Sequence, residues 1–298
     1  MLGFLSPLIE PGFFSNAPVQ TALIVGGIVA VVSGIVGTFT VMRGQSFAGH
    51  SLADIGTAGG SASFLLGISP LFGFVAMNLM AAGVMEWIGI RRPRGRDLAT
   101  GIVLGAALGL AALFLYLDTA SSTTGATINV LFGSIFTLPS SLVPVIVVFS
   151  VVAAGIVLAM YRPLLLSSVS SDLATAQGVR VRLVGIGYLV ALAVAVSLSA
   201  VTIGAILSTA LLIGPAATAL RITNRTRRAA AIAAAIGVVA TWLGVLLAYD
   251  SFYWFPSHNG WPVSFFVVTL IFLTYLLSQV RFMRRSTVRR TAVAAQAG

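Results

Sequence analysis

The sequence predicts an all-α integral membrane protein, a polytopic bundle of about nine (eight to ten) membrane-spanning helices. Two features of the composition support this fold class: 58% of the 298 residues are hydrophobic, and only 8% are charged. An ordinary soluble domain carries roughly 25% charged residues. In addition, apolar runs of about 20 residues, the length that crosses the hydrocarbon core as a helix, recur along the chain. We therefore interpret residues 1–298 as a single transmembrane domain.

The spans follow the hydropathy in order. We place them at about 19–42, 46–69, 70–90, 98–117, 141–161, 184–201, 203–222, 229–249 and 262–280. Residues 1–18 lack the basic start and small-residue cleavage site of a secretory signal peptide, and we expect them to lie along the membrane interface. Residues 121–141 hold an apolar run with Asn129 and Gly133 that is too short to span, so it predicts a re-entrant segment.

The arginines set the orientation. All 17 basic residues are arginine, and they fall in alternate loops, at residues 43, 91–96, 162–182, 221–228 and 281–290. The positive-inside rule places these loops in the cytoplasm, with the N-terminus outside and the 281–298 tail inside. We expect a multi-pass protein of the cell membrane. The net charge of +10 then reflects topology and attraction to anionic lipid. Nucleic-acid binding is not expected, because the arginines are divided among short loops.

The second span carries an ionisable pair. In QSFAGHSLADIGTAGG, residues 45–60, His50 and Asp54 are four residues apart and share a helix face. Counting about 1.5 Å per residue from Arg43 at the cytoplasmic surface puts His50 roughly 10 Å and Asp54 roughly 16 Å deep. Inserting an aspartate near the midplane costs about 2.5–3.5 kcal/mol, so Asp54 is expected to face protein or water.

The surroundings of the pair are small and polar, with Gly49, Gly59 and Gly60 among them. Such residues allow close helix packing or leave room for a permeant. The pair is therefore either an internal His50–Asp54 hydrogen bond that helps helices to pack or part of an ion pathway. Imidazole and carboxylate suit zinc, manganese or iron, and the absence of cysteine removes thiolate ligands. One helix offers only two ligands; a homodimer would supply four, and an asymmetric pore within one subunit is the alternative.

Other ionisable residues are assigned simpler roles. Glu86 lies close to Arg91 and is expected to extend to the membrane interface, and His258 is expected to be exposed in an external loop. The polar stretch at 163–183 predicts a cytoplasmic loop with a short helix, capped by Ser170 or Ser171 and ended by Gly178. A short helix with arginines behind it indicates a docking surface for another protein; a plain connecting loop is the alternative.

ATP cannot be bound here in the P-loop manner, because that motif needs a lysine and the sequence has none. An ATP-driven process would need a separate ATPase subunit. The sequence also lacks the H-E-x-x-H and G-x-S-x-G patterns of common hydrolases. We therefore do not expect an enzyme.

Four segments, in order, resemble the membrane permease subunit of the zinc/manganese/iron family of ABC importers. VMRGQSFAGHSLADIG is similar to the basic turn and G-D-A-L-S-H pattern of that family, and INVLFGSIF resembles its L-F-G-x-I segment. SSDLATAQGVRV resembles its coupling helix, and TIGAILSTALLIGPAATA its V-G-x-L-L-x-x-A-L-L-x-x-P-A-A-T-A signature. The family usually places aspartate first and histidine four residues later. Here His50 precedes Asp54, which keeps their spacing but exchanges their depths.

The resemblance implies a transport subunit without a tightly bound cofactor, whose substrate is a zinc, manganese or iron ion. Its implied partners are a cytoplasmic ABC ATPase that binds ATP, an external metal-binding protein, a second permease copy and membrane lipid. His50 and Asp54 would hold the metal in transit. Gly49, Gly59, Gly60 and Pro215 would form the pathway or a hinge. For Pro215, a static kink in the seventh span is the alternative. Coupling to the ATPase would run through the short cytoplasmic helix, by way of Asp172, Leu173, Ala174, Ala176 and Gly178.

Two other functions stay open on the sequence. A gradient-driven secondary transporter could use His50 and Asp54 as a proton or ion relay. An ABC permease for a metal chelate would share the coupling helix but would have less need of the ionisable pair.

Overall fold

The computed structural model describes residues 12–87, 93–121, 125–254 and 260–296. Within these ranges the secondary structure is helical, and no strand occurs. The helices are α1 Ala17–Met42, α2 Ser46–Leu65, α3 Pro70–Trp87, α4 Pro93–Ser121, α5 Gly125–Phe132, α6 Val143–Ala159, α7 Tyr161–Val169, α8 Ser171–Ala176, α9 Val181–Ile203, α10 Ala205–Ile222, α11 Thr226–Trp254 and α12 Val263–Gln296. Short 3-10 helices occupy Phe13–Ser15 and Ser140–Leu142.

The polytopic helical fold is as predicted, but the number of clear membrane spans is lower. Among the described residues six helices are long and apolar enough to cross a membrane, in α1, α4, α6, α9, α10 and α11. The other three predicted spans correspond to α2 and to the shorter apolar stretches Pro70–Glu86 and Val263–Gln279. Glycine and serine lower the hydropathy of α2. The count of nine is thus not supported by length and hydropathy.

Several predictions fall partly outside the described residues. Residues 1–11 of the interfacial segment, Arg91 and His258 lie outside them. The described end of that segment includes Phe13, which is buried with its ring edge against Tyr249 of α11. At the other end α12 continues to Gln296, so the predicted 281–298 tail is helical in its described part.

The centre of the bundle is formed by α1 and α9. In each, 72% of the most apolar stretch is buried, against 17% in α4 and 22% in α6, which therefore lie at the periphery. Polar pairs join these central helices. Ser33 of α1 lies 2.8 Å from Ser199 of α9 between their Oγ atoms, and Asn78 of α3 donates to Ser197 of α9 at 2.9 Å. In an apolar interior such pairs fix how neighbouring helices meet.

The segment between α4 and α6 turns back rather than crossing. Helix α5 has eight residues, about 12 Å of helix and too short for a span. The chain leaves it at Gly133, with φ of 86°. The backbone N–H of Ser134 then donates to the carbonyl of Val201, near the end of α9, at 3.2 Å. This geometry agrees with the predicted re-entrant segment.

Candidate functional site

His50 and Asp54 meet on α2. The Nε2 atom of His50 lies 3.6 Å from Oδ2 of Asp54, and the two side chains are 49% and 21% exposed. The i,i+4 spacing therefore brings the two groups together as expected. An imidazole nitrogen and a carboxylate oxygen at this separation can bind one divalent cation together.

A threonine from another helix completes the surroundings of the imidazole. Nδ1 of His50 lies 3.2 Å from Oγ1 of Thr209 on α10. Both ring nitrogens are thus engaged, one by Thr209 and the other by Asp54. Thr209 is not conspicuous in the sequence. Its only local signal is a hydroxyl group in an apolar helix, and α10 contains others at Ser208 and Thr218.

The α1–α2 turn lies beside the interior of α9 rather than beside its first residue, and the membrane depth of the pair stays a prediction. Arg43, where the count began, lies over the ring of Tyr188, about 10 Å along α9 from its first residue. A Cβ atom added at Gly49 would contact Leu212 and also Leu192, about 16 Å along α9. His50, the next residue, is therefore level with the middle of α9.

The pair lies on an open face of the single chain. Phe47 precedes His50 by one turn of α2 and is exposed, as is Ile206 one turn before Thr209 on α10. Among the described residues there is no cluster of three or more histidine, cysteine, aspartate or glutamate side chains that could hold a metal. One chain therefore brings two such ligands to this face.

The three glycines predicted for the pathway lie at helix contacts. A Cβ atom at Gly59 would run into the backbone carbonyl of Gly73 on α3, and one at Gly60 into the ring of Phe74. Gly49 packs toward α10, as described above. These positions explain why the residues are small; their part in a pathway stays a prediction.

Pro215 lies buried inside α10, and the helix continues past it to Ile222. Proline lacks the N–H that would otherwise bond the carbonyl of Leu211, one turn earlier. The hinge role of Pro215 stays a prediction.

The short helix predicted within residues 163–183 is present as α8. The hydroxyl of Ser170 accepts from the backbone N–H of Leu173 at 3.2 Å, so Ser170 is the N-cap. Asp172 lies in the first turn, where a negative charge interacts favourably with the helix dipole. Gly178 follows the helix with φ of 78°, the left-handed geometry that glycine adopts most easily.

The surface of this region combines buried and exposed apolar residues. Ala174 is fully buried, whereas Leu173 is 49% exposed and Val169, at the end of α7, is 77% exposed. Ala176 is exposed as well. An exposed apolar patch on a short, well-capped helix is typical of a protein-docking surface.

Glu86 takes part in an ion pair at the end of α3. Its Oε1 atom lies 3.7 Å from Nε of Arg182, in the first turn of α9. The ion pair joins the end of α3 to the start of α9, directly after the loop that carries α8.

Comparisons with known proteins agree with this architecture. Residues 15–279 match the family described as the ABC 3 transport family. The chain is 30% identical over 276 residues to the manganese transport system membrane protein MntC of Listeria innocua, covering 92% of this chain and 94% of that protein. It is 29% identical to the manganese import system permease protein ScaB of Streptococcus parasanguinis, covering 78% and 81%.

A solved structure shares the fold. The chain matches PsaBC from Streptococcus pneumoniae, in complex with Fab, with a TM-score of 0.76 and 26% sequence identity. The match covers 90% of this chain and 92% of that chain.

Proposed function

The chain belongs to the ABC 3 transport family and is a permease subunit of an ABC importer for metal ions, and from this premise we propose that a divalent cation crosses the membrane past His50 and Asp54. One observation carries the proposal. It is the 3.6 Å contact between an imidazole nitrogen and a carboxylate oxygen, level with the middle of the bundle and on an open face.

A second copy of the permease would complete the site. Exposing the pair to lipid at this depth is unfavourable, so we expect protein to pack against the open face of α2 and α10. A two-fold axis beside α2 would bring together two histidines and two aspartates, enough for a four-coordinate or larger shell. In such an assembly α2, α3 and α12 would also cross the membrane, which together with the six helices described above gives nine spans in each subunit.

Manganese is the first candidate among the divalent ions. The relatives described above are named as manganese transporters, and a mixed nitrogen and oxygen ligand set without sulfur suits manganese as well as iron and zinc. The exchange of histidine and aspartate relative to the usual family order alters which ligand meets the ion first. We therefore expect selectivity, rather than the pathway, to differ from that of relatives with the usual order.

Thr209 would prepare the histidine for the ion. A neutral imidazole carries one proton, so a bond from Nδ1–H to the Thr209 oxygen leaves the Nε2 lone pair directed at Asp54 and the cation. Partners of this kind orient metal-binding histidines in many proteins.

Energy would come from a cytoplasmic ABC ATPase docked on the 163–183 loop. Leu173 would supply the exposed apolar contact, and Asp172, Ala174, Ala176 and Gly178 would shape α8.

Residues 1–298 would act as one transmembrane domain with the N-terminus outside and the 281–298 tail in the cytoplasm. An external metal-binding protein would deliver the ion from the other side.

The test is metal uptake into vesicles that contain the permease together with its ATPase and external binding protein. His50→Ala and Asp54→Ala should each lower uptake by more than about tenfold, while the ATPase still binds. Thr119→Ala is the control, because that hydroxyl lies on α4 and bonds only to the backbone of its own helix in the described contacts. Normal uptake in both site variants would overturn the proposal.

Membership of the ABC 3 transport family argues against the gradient-driven secondary transporter considered on the sequence. The same vesicles test whether the substrate is a metal chelate. Uptake of a metal chelate with no uptake of the free ion would favour the chelate permease.

A further inference from the structure

Arg43 lies in a tight turn that connects α1 directly to α2. Its backbone N–H donates to the carbonyl of Phe39 at 2.9 Å, and Gly44 follows with φ of 64°. The N–H of Gln45 then returns to the carbonyl of Thr40 at 2.9 Å. Helix α2 begins at the next residue, so a movement of Arg43 passes directly into α2. His50 lies seven residues after Arg43, about 10 Å along the chain direction.

The guanidinium group of Arg43 reaches α7. Its Nη1 atom donates to Oγ of Ser167 at 2.9 Å. Ser167 in turn donates to the carbonyl of Leu164 at 3.1 Å, and the side chain of Leu164 is fully buried. The contact therefore connects the α1–α2 turn to a part of α7 that is anchored in the core.

The same guanidinium group also lies against α9. Its central carbon is 5.2 Å from the ring centroid of Tyr188, a cation–π distance. Tyr188 is fully buried, and its hydroxyl lies 2.7 Å from Oγ1 of Thr40 on α1. A charged side chain placed inside the bundle is costly unless it is paired, and such residues commonly serve function.

Helices α7 and α8 are joined through a single residue. Ser170 donates its backbone N–H to Leu166 of α7 at 3.1 Å and accepts from Leu173 of α8 through its side chain. Its carbonyl also accepts from the N–H of Ala174 at 3.1 Å. A displacement of α8 is therefore expected to carry α7 with it.

We propose that Arg43 is a positioning residue that transmits displacement of α8, through Ser167 of α7, to the His50 and Asp54 pair on α2. The inference rests on the proposed function, in which α8 docks the ATPase and the pair holds the ion. It adds a physical route between the two within one subunit. Loss of the Arg43 contacts should leave the ATPase docking on α8 and the His50–Asp54 pair intact. It should uncouple ATP hydrolysis from ion movement.

The experiment measures ATP hydrolysis and metal uptake in the same vesicles of the complete importer. Arg43→Met removes the charge and the donors. Ser167→Ala removes only the acceptor on α7, and it is the second variant should Arg43→Met fail to assemble. Both should lower the number of ions moved per ATP by about two- to thirtyfold, with ATP hydrolysis near that of the unmodified importer. Arg43→Lys should restore part of the loss, because it keeps a charge over Tyr188.

Arg221→Met is the matched control. Arg221 also lies over a tyrosine, 4.7 Å from the ring centroid of Tyr275, and donates to its hydroxyl at 2.9 Å. This pair joins α10 to α12 and lies outside the proposed route, so ions per ATP should not change.

Two results would overturn the inference. One is an unchanged number of ions per ATP in Arg43→Met and Ser167→Ala. The other is an equal fall of hydrolysis and uptake together with lower thermal stability, which marks a purely structural role. His50→Ala, measured in parallel, separates this inference from the proposed function. Normal uptake in His50→Ala would reject the proposed function, whereas loss of uptake there with full coupling in Arg43→Met would reject only the role of Arg43.

Discussion

Oγ1 of Thr209 on α10 lies 3.2 Å from Nδ1 of His50 on α2, while the other nitrogen of the same ring faces Asp54. A residue 159 positions along the chain thus contacts the imidazole on the side away from the carboxylate. The contact joins α2 to α10 at the candidate metal site. It also gives the histidine a neighbour that can determine which nitrogen carries the proton.

Thr209→Val is expected to raise the metal concentration that gives half-maximal uptake by about tenfold or more, because an orienting partner of a metal-binding histidine is lost. Thr209→Ser keeps the hydroxyl and should remain close to the unmodified protein. Thr218→Val is the control on the same helix, since the Thr218 hydroxyl bonds to the backbone of Gly214. Uptake assays over a range of manganese concentrations decide the matter. An unchanged half-maximal concentration in Thr209→Val would contradict the orienting role.

Gly59 of α2 and Gly73 of α3 permit the close crossing of these helices. A Cβ atom at Gly59 would overlap the carbonyl of Gly73, and a backbone group cannot move aside as a flexible side chain can. Gly59→Ala is therefore expected to lower the free energy of unfolding by about 1–3 kcal/mol. Thermal unfolding of the purified permease in detergent measures the loss.

Gly83→Ala is the matched control for that substitution. Gly83 also lies on α3, but no atom is within 4 Å of an added Cβ atom. Alanine is the better helix former by about 1 kcal/mol, so Gly83→Ala should be neutral or stabilising. Equal thermal stability of the Gly59 and Gly83 variants would show that α2 and α3 move apart at little cost to accommodate the added methyl group.

Local features of this fold follow from the sequence. The contact of His50 with Asp54 depends only on helical periodicity, and the cap at Ser170 and the turn at Gly178 depend only on neighbouring residues. Such features are dictated by a few consecutive residues, whatever the rest of the chain does.

Contacts between distant segments do not follow from the sequence in the same way. Thr209 approaches His50, and Ser167 approaches Arg43, only because α7 and α10 pack beside the α1–α2 turn. The contact of Arg43 with the ring of the buried Tyr188 is likewise not visible in the sequence, where an arginine suggests only the membrane surface. The small residues of α2 lower its hydropathy, and only the packed structure shows that Gly59 and Gly60 lie against α3.

Leu173→Asp is expected to weaken binding of the ATPase by more than about tenfold. The substitution places a charge in the centre of the exposed apolar patch on α8, where truncation of a central contact often costs about 2 kcal/mol or more. Capture of the ATPase by the tagged permease measures the change. Leu66→Asp is the control, because Leu66 is an even more exposed leucine, 72% against 49% for Leu173, on the turn after α2, at the other end of the bundle from α8. Equal capture by the two variants would place the docking surface elsewhere.

Pro215→Ala is expected to lower the maximal rate of metal uptake severalfold, because α10 carries Thr209 of the metal site and continues past Pro215 to Ile222. Alanine restores the backbone bond to Leu211 and makes α10 a stiffer rod. If α10 bends at Pro215 during transport, the stiffer helix slows the cycle. Pro144→Ala is the control, since Pro144 lies in the first turn of α6, where proline is well tolerated. An unchanged maximal rate in Pro215→Ala would identify the proline as a static feature of α10 and would exclude bending there from the transport cycle.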